Sequence, residues 1–181
     1  MVLSNLLQPD LVLGGSVLEL SPALLKHYNL KGLILDVDDT LVPFCQAETS
    51  PALAGWMGKI KEVGAVWLVS NNVNTNRIRR IADPLQVPYL TSAGKPSRRK
   101  LKQALSAMNL PPEQVAMVGD RLFTDILAGN RLGLFTILVE PMPSLKPQKV
   151  QRFPLRFLEF SISQYLGVTL SRSMPDPGPN P

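Results

Sequence analysis

From residue 32 onward the hydrophobic positions alternate between two rhythms. Uninterrupted apolar runs at Leu33–Leu35, Ala65–Val69, Val115–Val118 and Leu134–Val139 read as strands buried on both faces of a parallel sheet. Val87–Leu90 is a weaker run, and its Pro88 suits a sheet edge. Between the runs the apolar period is helical. Ser50-Pro51 reads as a cap followed by the first helical residue, with Leu53, Trp56, Met57 and Ile60 at i, i+3, i+4 and i+7 and Gly64 as the stop. Asn74 or Thr75 caps a basic helix carrying Arg77, Arg79 and Arg80, expected to close near Asp83-Pro84. Ser97 is expected to open a helix through Leu101, Leu105 and Met108, ended by residues 109–112, and a short helix is expected over 124–130.

Upstream, residues 1–31 carry scattered leucines and valines broken by Gly14-Gly15, with Ser21-Pro22 opening a short helix to about Tyr28. Strand and helix thus alternate five times, which predicts an α/β fold: a doubly wound, Rossmann-like parallel sheet of five strands, helices on both faces, right-handed crossovers. The expected organisation is a lead-in (1–31) packing on the core, a core domain (32–140), a C-terminal extension (141–170) and a Pro-rich tail (171–181) whose composition predicts disorder. The extension holds basic and aromatic residues together over 146–160. Docking on the sheet is the commoner fate of such a face, and contact with an anionic membrane is the sharper alternative.

Ligands of such sheets bind beyond the carboxyl ends of the strands, and the polar residues that need explaining fall there. Asp36 and Asp38 follow the first run, Ser70 and Asn71 the second, Lys95 the third, and Asp120 and Asp125 the fourth. Two carboxylates two residues apart at the end of a buried strand require compensation. Asp-Asp-Thr also suits a surface turn, but the recurrence at successive strand ends favours an active site. Asp36, Asp38 and Asp120 form an acidic set suited to the oxygen shell of Mg²⁺, with Lys95 opposite and Ser70 and the Asn71 region as donors. A phosphate dianion satisfies all of them together, which points to phosphoryl transfer with a carboxylate nucleophile. Gly94-Lys95-Pro96-Ser97 is not a P-loop, because the earlier glycine is missing and proline follows the lysine.

Composition narrows this further. One cysteine (Cys45) and one histidine (His27) in 181 residues exclude an intrachain disulfide, a Cys-based zinc site and a multi-His metal site. His27 is expected to sit partly exposed at a helix end. No apolar run reaches the roughly 18–20 residues that span a bilayer, and no Lys or Arg precedes Lys26, so a cytoplasmic location is expected. The net charge of +5 favours anionic partners.

In this order the residues resemble the haloacid dehalogenase (HAD) superfamily of phosphatases. Residues 36–40 (DVDDT) look like its first motif, Ser70 its second, Lys95 its third and residues 119–125 (GDRLFTD) its fourth. The resemblance implies Asp36 as nucleophile, Asp38 as general acid/base, Ser70 and Lys95 on the phosphoryl group, and Mg²⁺ held by Asp36, the Asp38 carbonyl and Asp120, with Asp125 and Thr40 in support. A closer likeness is to the YqeG type (HAD subfamily IIIA), itself similar to mitochondrial phosphatidylglycerophosphate phosphatases. It is carried by residues 7–10 (LQPD), 41–43 (LVP), 69–72 (VSNN), 95–96 (KP) and 124–131 (TDILAGNR). Asp39 stands where that type often has Asn, and Gly94 where a basic residue is common.

Spacing adds a clue about substrate. Asp36 to Ser70 is 34 positions and Ser70 to Lys95 is 25, each filled by one helix and one strand, so no cap domain is expected over the site. An uncapped site suits a phosphate presented on something large: a phospholipid headgroup, a protein or a nucleic-acid end. The resemblance favours the lipid over nucleic acid and implies peripheral membrane binding. A non-catalytic or receiver-like phosphate-binding module is the reading from another class, although a receiver would carry its acceptor Asp after the third strand, where none stands.

Overall fold

The computed structural model describes residues 3–143 and 167–170, so the stretches 146–160 and 171–181 lie outside the described residues. In chain order the elements are α1 (Leu3–Leu7), β1 (Leu11–Val12), α2 (Pro22–His27), β2 (Gly32–Leu35), α3 (Pro51–Lys61), β3 (Ala65–Val69), α4 (Thr75–Leu85), β4 (Tyr89–Leu90), α5 (Arg99–Met108), β5 (Val115–Gly119), α6 (Leu127–Asn130) and β6 (Phe135–Leu138). All strand pairs are parallel, in the order β1-β6-β5-β2-β3-β4.

The side chains of β2 alternate between two cores, as strand geometry requires. Leu33 and Leu35 join Leu53, Met57 and Ile60 of α3 and Ile78 and Ile81 of α4. Ile34 faces the other way, with Val115, Met117, Leu101 and Ala104 of α5 and Ala128 of α6. Helices therefore cover both faces, and β2 reads as an apolar run because it has no wet side. The apolar stripe expected for α3 (Leu53, Trp56, Met57, Ile60) is the buried one. Local capping chemistry fixes three helix starts. The hydroxyls of Ser21 and Ser50 accept from Leu24 N (3.2 Å) and Leu53 N (3.1 Å), and Asn74 Oδ1 accepts from Arg77 N (3.1 Å).

The sequence reading needs correction in four places. The sheet has six strands, because Leu11–Val12 pairs with β6 at the edge opposite β4. A two-residue strand has almost no periodic signal of its own. It is secured by tertiary bonds, with Asp10 Oδ2 accepting from Thr136 N at 2.7 Å. The helix α4 runs on through Pro84 to Leu85, closed by Gln86 in the left-handed region at φ 53°. Pro84 sits in the last turn, so the hydrogen bond it cannot donate falls where the helix is already ending. The helix α5 begins at Arg99 instead of Ser97, since Ser97 N closes a turn onto Gly94 O (2.9 Å). Residues 122–126 form a π-helical turn ahead of α6. His27 closes α2 and is exposed.

Register aligns the strand ends. Leu35 lies beside Val118 on one side and Leu68 on the other, and Val69 lies beside Leu90. The segments after β2, β3, β4 and β5 therefore emerge along one edge. Each connection from β2 to β5 holds a single α-helix, and among the described residues no added domain covers that edge.

Candidate active site

Asp36 is the first residue past β2, and its N–H still bonds Val118 O (2.9 Å), so the main chain carries it in strand geometry into the site. Its carboxylate is buried, and Oδ1 accepts from Lys95 Nζ at 2.7 Å. The same ammonium lies 2.7 Å from Asp125 Oδ1, so one buried cation bridges two buried carboxylates. Lys95 is held through its main chain by Asn71, which accepts from Lys95 N (2.7 Å) and donates to Lys95 O (3.1 Å). The preceding Gly94 supplies the left-handed backbone of the turn, with φ 63°.

Carboxylate oxygens of Asp36, Asp120 and Asp125 lie within 4.8 Å of one another, all three residues buried. Thr40, fully buried, donates to Asp120 Oδ1 at 3.4 Å. Asp125 arrives through the π-helical turn, its N–H on Arg121 O (3.0 Å) and its Oδ2 accepting from Arg121 N (3.2 Å). The extra residue of such a turn re-aims a side chain, which is why these turns gather at functional sites. Gly119 leaves room for it, since a Cβ there would run into the Asp125 carboxylate.

The set fits a divalent cation. Three buried carboxylates and one ammonium sum to two negative charges, and a buried excess of that size is costly unless a cation joins it. All the donors are hard oxygens, and the soft or borderline candidates, Cys45 and His27, are exposed elsewhere. The electrostatics show the strain. Burial pushes the Asp36 carboxyl up from 3.8 to about 7; Lys95 pulls it down, and Asp125 and Asp38 push it up again. For Lys95, burial opposes the charge, but Asp125 and Asp36 outweigh it and hold the ammonium above its usual value.

Asp38 faces a different set of partners. Its Oδ2 accepts from Ser70 Oγ (3.1 Å) and Asn72 Nδ2 (3.4 Å), and its Oδ1 from Arg77 at 2.6 Å. Ser70, expected at the phosphate, is fully buried here with its hydroxyl on Asp38, and it accepts from Asn72 N (2.9 Å). Asn71 lines the cleft while its amide is committed to Lys95. Asp39 shapes the loop from the left-handed region (φ 65°), which Asp and Asn tolerate best among side-chain-bearing residues. Its Oδ1 accepts from Phe44 N (2.9 Å).

An open cleft of about 280 Å³ gathers Asp36, Asp38, Asn71, Lys95 and Asp125 with Phe44, Asn72, Val73, Arg121 and Thr124. Asn72, Arg121 and Thr124 fall inside the motif stretches 69–72 and 119–125 without a role of their own, whereas Phe44, Val73 and Arg77 do not stand out as site residues in the sequence. Phe44 (42% exposed) and Val73 (79% exposed) are the large apolar side chains most open to solvent among the described residues, and both stand at this mouth. Their place next to Pro43 and Asn72, each beside a site segment, is the available signal.

A sequence profile described as HAD-hydrolase-like matches residues 92–141. The chain is 39% identical over 130 residues to the probable phosphatase YqeG of Bacillus subtilis, covering 71% of this chain and 75% of that protein. It is 33% identical over 129 residues to the chloroplastic phosphatidylglycerophosphate phosphatase 1 of Chlamydomonas reinhardtii, covering 65% of this chain but only 47% of that protein, so the chain spans about half of that relative. An uncharacterized protein from Listeria monocytogenes serotype 4b superposes with a TM-score of 0.51 at 20% identity, over 65% of this chain and 85% of that one, a likeness of fold alone.

Proposed function

The chain belongs to the HAD-like hydrolases and is a phosphatase related to YqeG, and on that premise we propose that it is a magnesium-dependent phosphomonoesterase working through an aspartyl-phosphate on Asp36. The observation that carries the reading is the buried Asp36–Asp120–Asp125 set with Lys95 against two of its carboxylates, at the carboxyl edge of a sheet that no cap covers among the described residues. Asp36, Asp120 and the Asp38 carbonyl would hold Mg²⁺, with Asp125 beside them. The ion, when bound, supplies positive charge against the phosphoryl oxygens.

The chain's own groups do the rest. An Asp36 carboxylate oxygen attacks phosphorus while the bond to the leaving oxygen breaks, and Asp38 gives that oxygen a proton. Asp38 then takes a proton from the water whose oxygen attacks phosphorus, freeing inorganic phosphate and restoring Asp36. Lys95 neutralises charge on the transferred group, and Ser70 turns its hydroxyl from Asp38 to a phosphoryl oxygen. Asn71 keeps Lys95 in place through its main chain.

The substrate we favour is phosphatidylglycerophosphate, met at a membrane surface by a cytoplasmic, peripherally bound enzyme in phosphatidylglycerol synthesis. The Chlamydomonas relative's activity supports it, as do the open cleft, the net charge of +5 and the exposed Phe44 and Val73 at the mouth. No helix among the described residues is long and apolar enough to cross a membrane. The test is a panel of phosphatidylglycerophosphate in vesicles, a 3′-phosphorylated oligonucleotide and a phosphopeptide, each with Mg²⁺ and with EDTA. Turnover of the lipid with Mg²⁺ is expected; activity confined to the oligonucleotide or peptide would replace the substrate, and inactivity on every phosphomonoester would end the enzymatic reading.

A further inference from the structure

We propose that Arg77 is a positioning residue for the proton-transfer step: it fixes the carboxylate of Asp38 and clasps the segment 43–46 over it. This rests on the general acid/base role of Asp38. The guanidinium places three hydrogen bonds on this corner of the site. One terminal nitrogen donates to Asp38 Oδ1 at 2.6 Å, Nε donates to Gln46 O at 2.9 Å, and the other terminal nitrogen to Pro43 O at 3.3 Å. Its carbon lies 5.6 Å from the centre of the Phe44 ring, within cation–π range. A planar fork can hold three acceptors in fixed directions at once, which an ammonium on a flexible stem cannot.

Two further observations indicate that the arrangement serves chemistry more than folding. Arg77 lies in the first turn of α4, three residues after the cap Asn74, in a turn with no acidic residue. A cation there opposes the helix dipole, so the helix alone gives no reason for it. The side chain is also only 12% exposed, an unfavourable place for a charge unless its partners require it. Asp38, for its part, has both oxygens engaged, with Ser70 and Asn72 on one and Arg77 on the other. Of the three, Arg77 also bonds the loop beyond Asp39, at Pro43 O and Gln46 O. Removing it would free Asp38 to rotate and would free Phe44 to leave the mouth of the cleft.

Positioning of a general acid has a kinetic signature that loss of structure lacks. An alkoxide leaving group must be protonated as it departs, whereas p-nitrophenolate leaves without help. The kcat/KM values of the full chain with Mg²⁺ on ethyl phosphate and on p-nitrophenyl phosphate therefore read the first chemical step for each ester. Arg77→Gln is expected to lose about 10–100-fold on ethyl phosphate and less than about 3-fold on p-nitrophenyl phosphate. Arg77→Lys should recover only part of the loss. In an Asp38→Asn background Arg77→Gln should cost nothing further, since the residue acts through Asp38. Equal losses on both esters, no loss on either, or losses that add to those of Asp38→Asn would overturn the proposal. Should Arg77→Gln fail to fold, the same comparison is made with Arg77→Lys, for which indifference to the leaving group overturns it equally. If Asp38→Asn itself fails to discriminate between the esters, the acid role falls and this inference with it. A discriminating Asp38→Asn beside an indifferent Arg77→Gln removes the inference alone.

Discussion

Two polar clusters lie at opposite ends of the sheet's strands and are built on opposite terms. At the amino end of the outer strands, Asp10 Oδ2 takes the N–H of Thr136 at 2.7 Å and lies 2.8 Å from its hydroxyl. That hydroxyl also lies 3.0 Å from Asn130 Oδ1 and accepts from Asp10 N at 3.1 Å. The Asn130 amide closes the knot on the carbonyls of Leu6 (2.9 Å) and Gln8 (2.8 Å). One carboxylate is answered mostly by neutral donors and little is left to bind. At the carboxyl end, three buried carboxylates gather within 4.8 Å of one another, and one ammonium, 2.7 Å from both Asp36 Oδ1 and Asp125 Oδ1, answers them. The first cluster stitches the N-terminal segment to the sheet. The second carries charge that folding alone cannot use, and the difference separates polar burial that makes a fold from polar burial that awaits a ligand.

The sharpest way to break this contrast is Asp36→Asn. If the carboxyl cluster exists for chemistry, the substitution should lower phosphatase activity by about 10³-fold or more, as expected when a nucleophile is lost. It should leave the metal-free melting temperature unchanged or raise it by about a few degrees, because one poorly compensated buried charge has gone. Activity assays and thermal melts on one preparation check both halves. A large fall in melting temperature would mean that Asp36 is structural and would put the two clusters in one class.

The next effect sharpens the same point through pH. With Asp36 raised from 3.8 to about 7 by burial, the folded chain keeps between those values a proton that the unfolded chain has released. Its contribution to metal-free stability therefore falls as pH rises through that window and levels off above it. A cation must displace the proton, so apparent Mg²⁺ affinity should be about 30-fold weaker at pH 5.5 than at pH 8. Thermal shift titrations at the two pH values test this. Equal affinities would show that the carboxyl is already ionised at pH 5.5, and the picture of a strained site would fail.

Much of this is legible in the sequence because the signals are local. Asp36, Ser70, Lys95 and Asp120 each follow a strand that an apolar run announces, and parallel topology brings strand ends together whatever the tertiary detail. Ser21, Ser50 and Asn74 cap their helices by bonds three residues long. The features that escape depend on partners far along the chain. The strand Leu11–Val12 exists because Thr136, 126 positions after Asp10, receives its neighbour. Arg77 looks in sequence like one of three arginines on a basic helix; its function depends on Asp38, 39 positions earlier. Asp125 reads there as a support, and the π-helical turn that brings it among the buried carboxylates leaves no mark in hydrophobic period. Ser97 has the composition of a cap, but its N–H is taken by the turn from Gly94.

The smallest expected effect is also the control that completes the comparison. Asp10→Ala removes an acceptor shared by the N–H and hydroxyl of fully buried Thr136 and leaves the N–H without that partner. The cost should be about 1–2 kcal/mol of stability, roughly 2–4 °C of melting temperature per kcal/mol for a chain of this length. Activity per folded molecule should not change, since β6 lies beyond β5 from the strand that carries Asp36 and none of the knot's residues lines the cleft. Asp10→Asn should cost less than Asp10→Ala, because an amide oxygen can still accept from Thr136 N. If instead Asp10→Ala lowered kcat while the protein stayed folded, the knot would be coupled to the site. The route would be Thr136 to Asn130 and then α6, which directly follows the π-helical turn carrying Asp125.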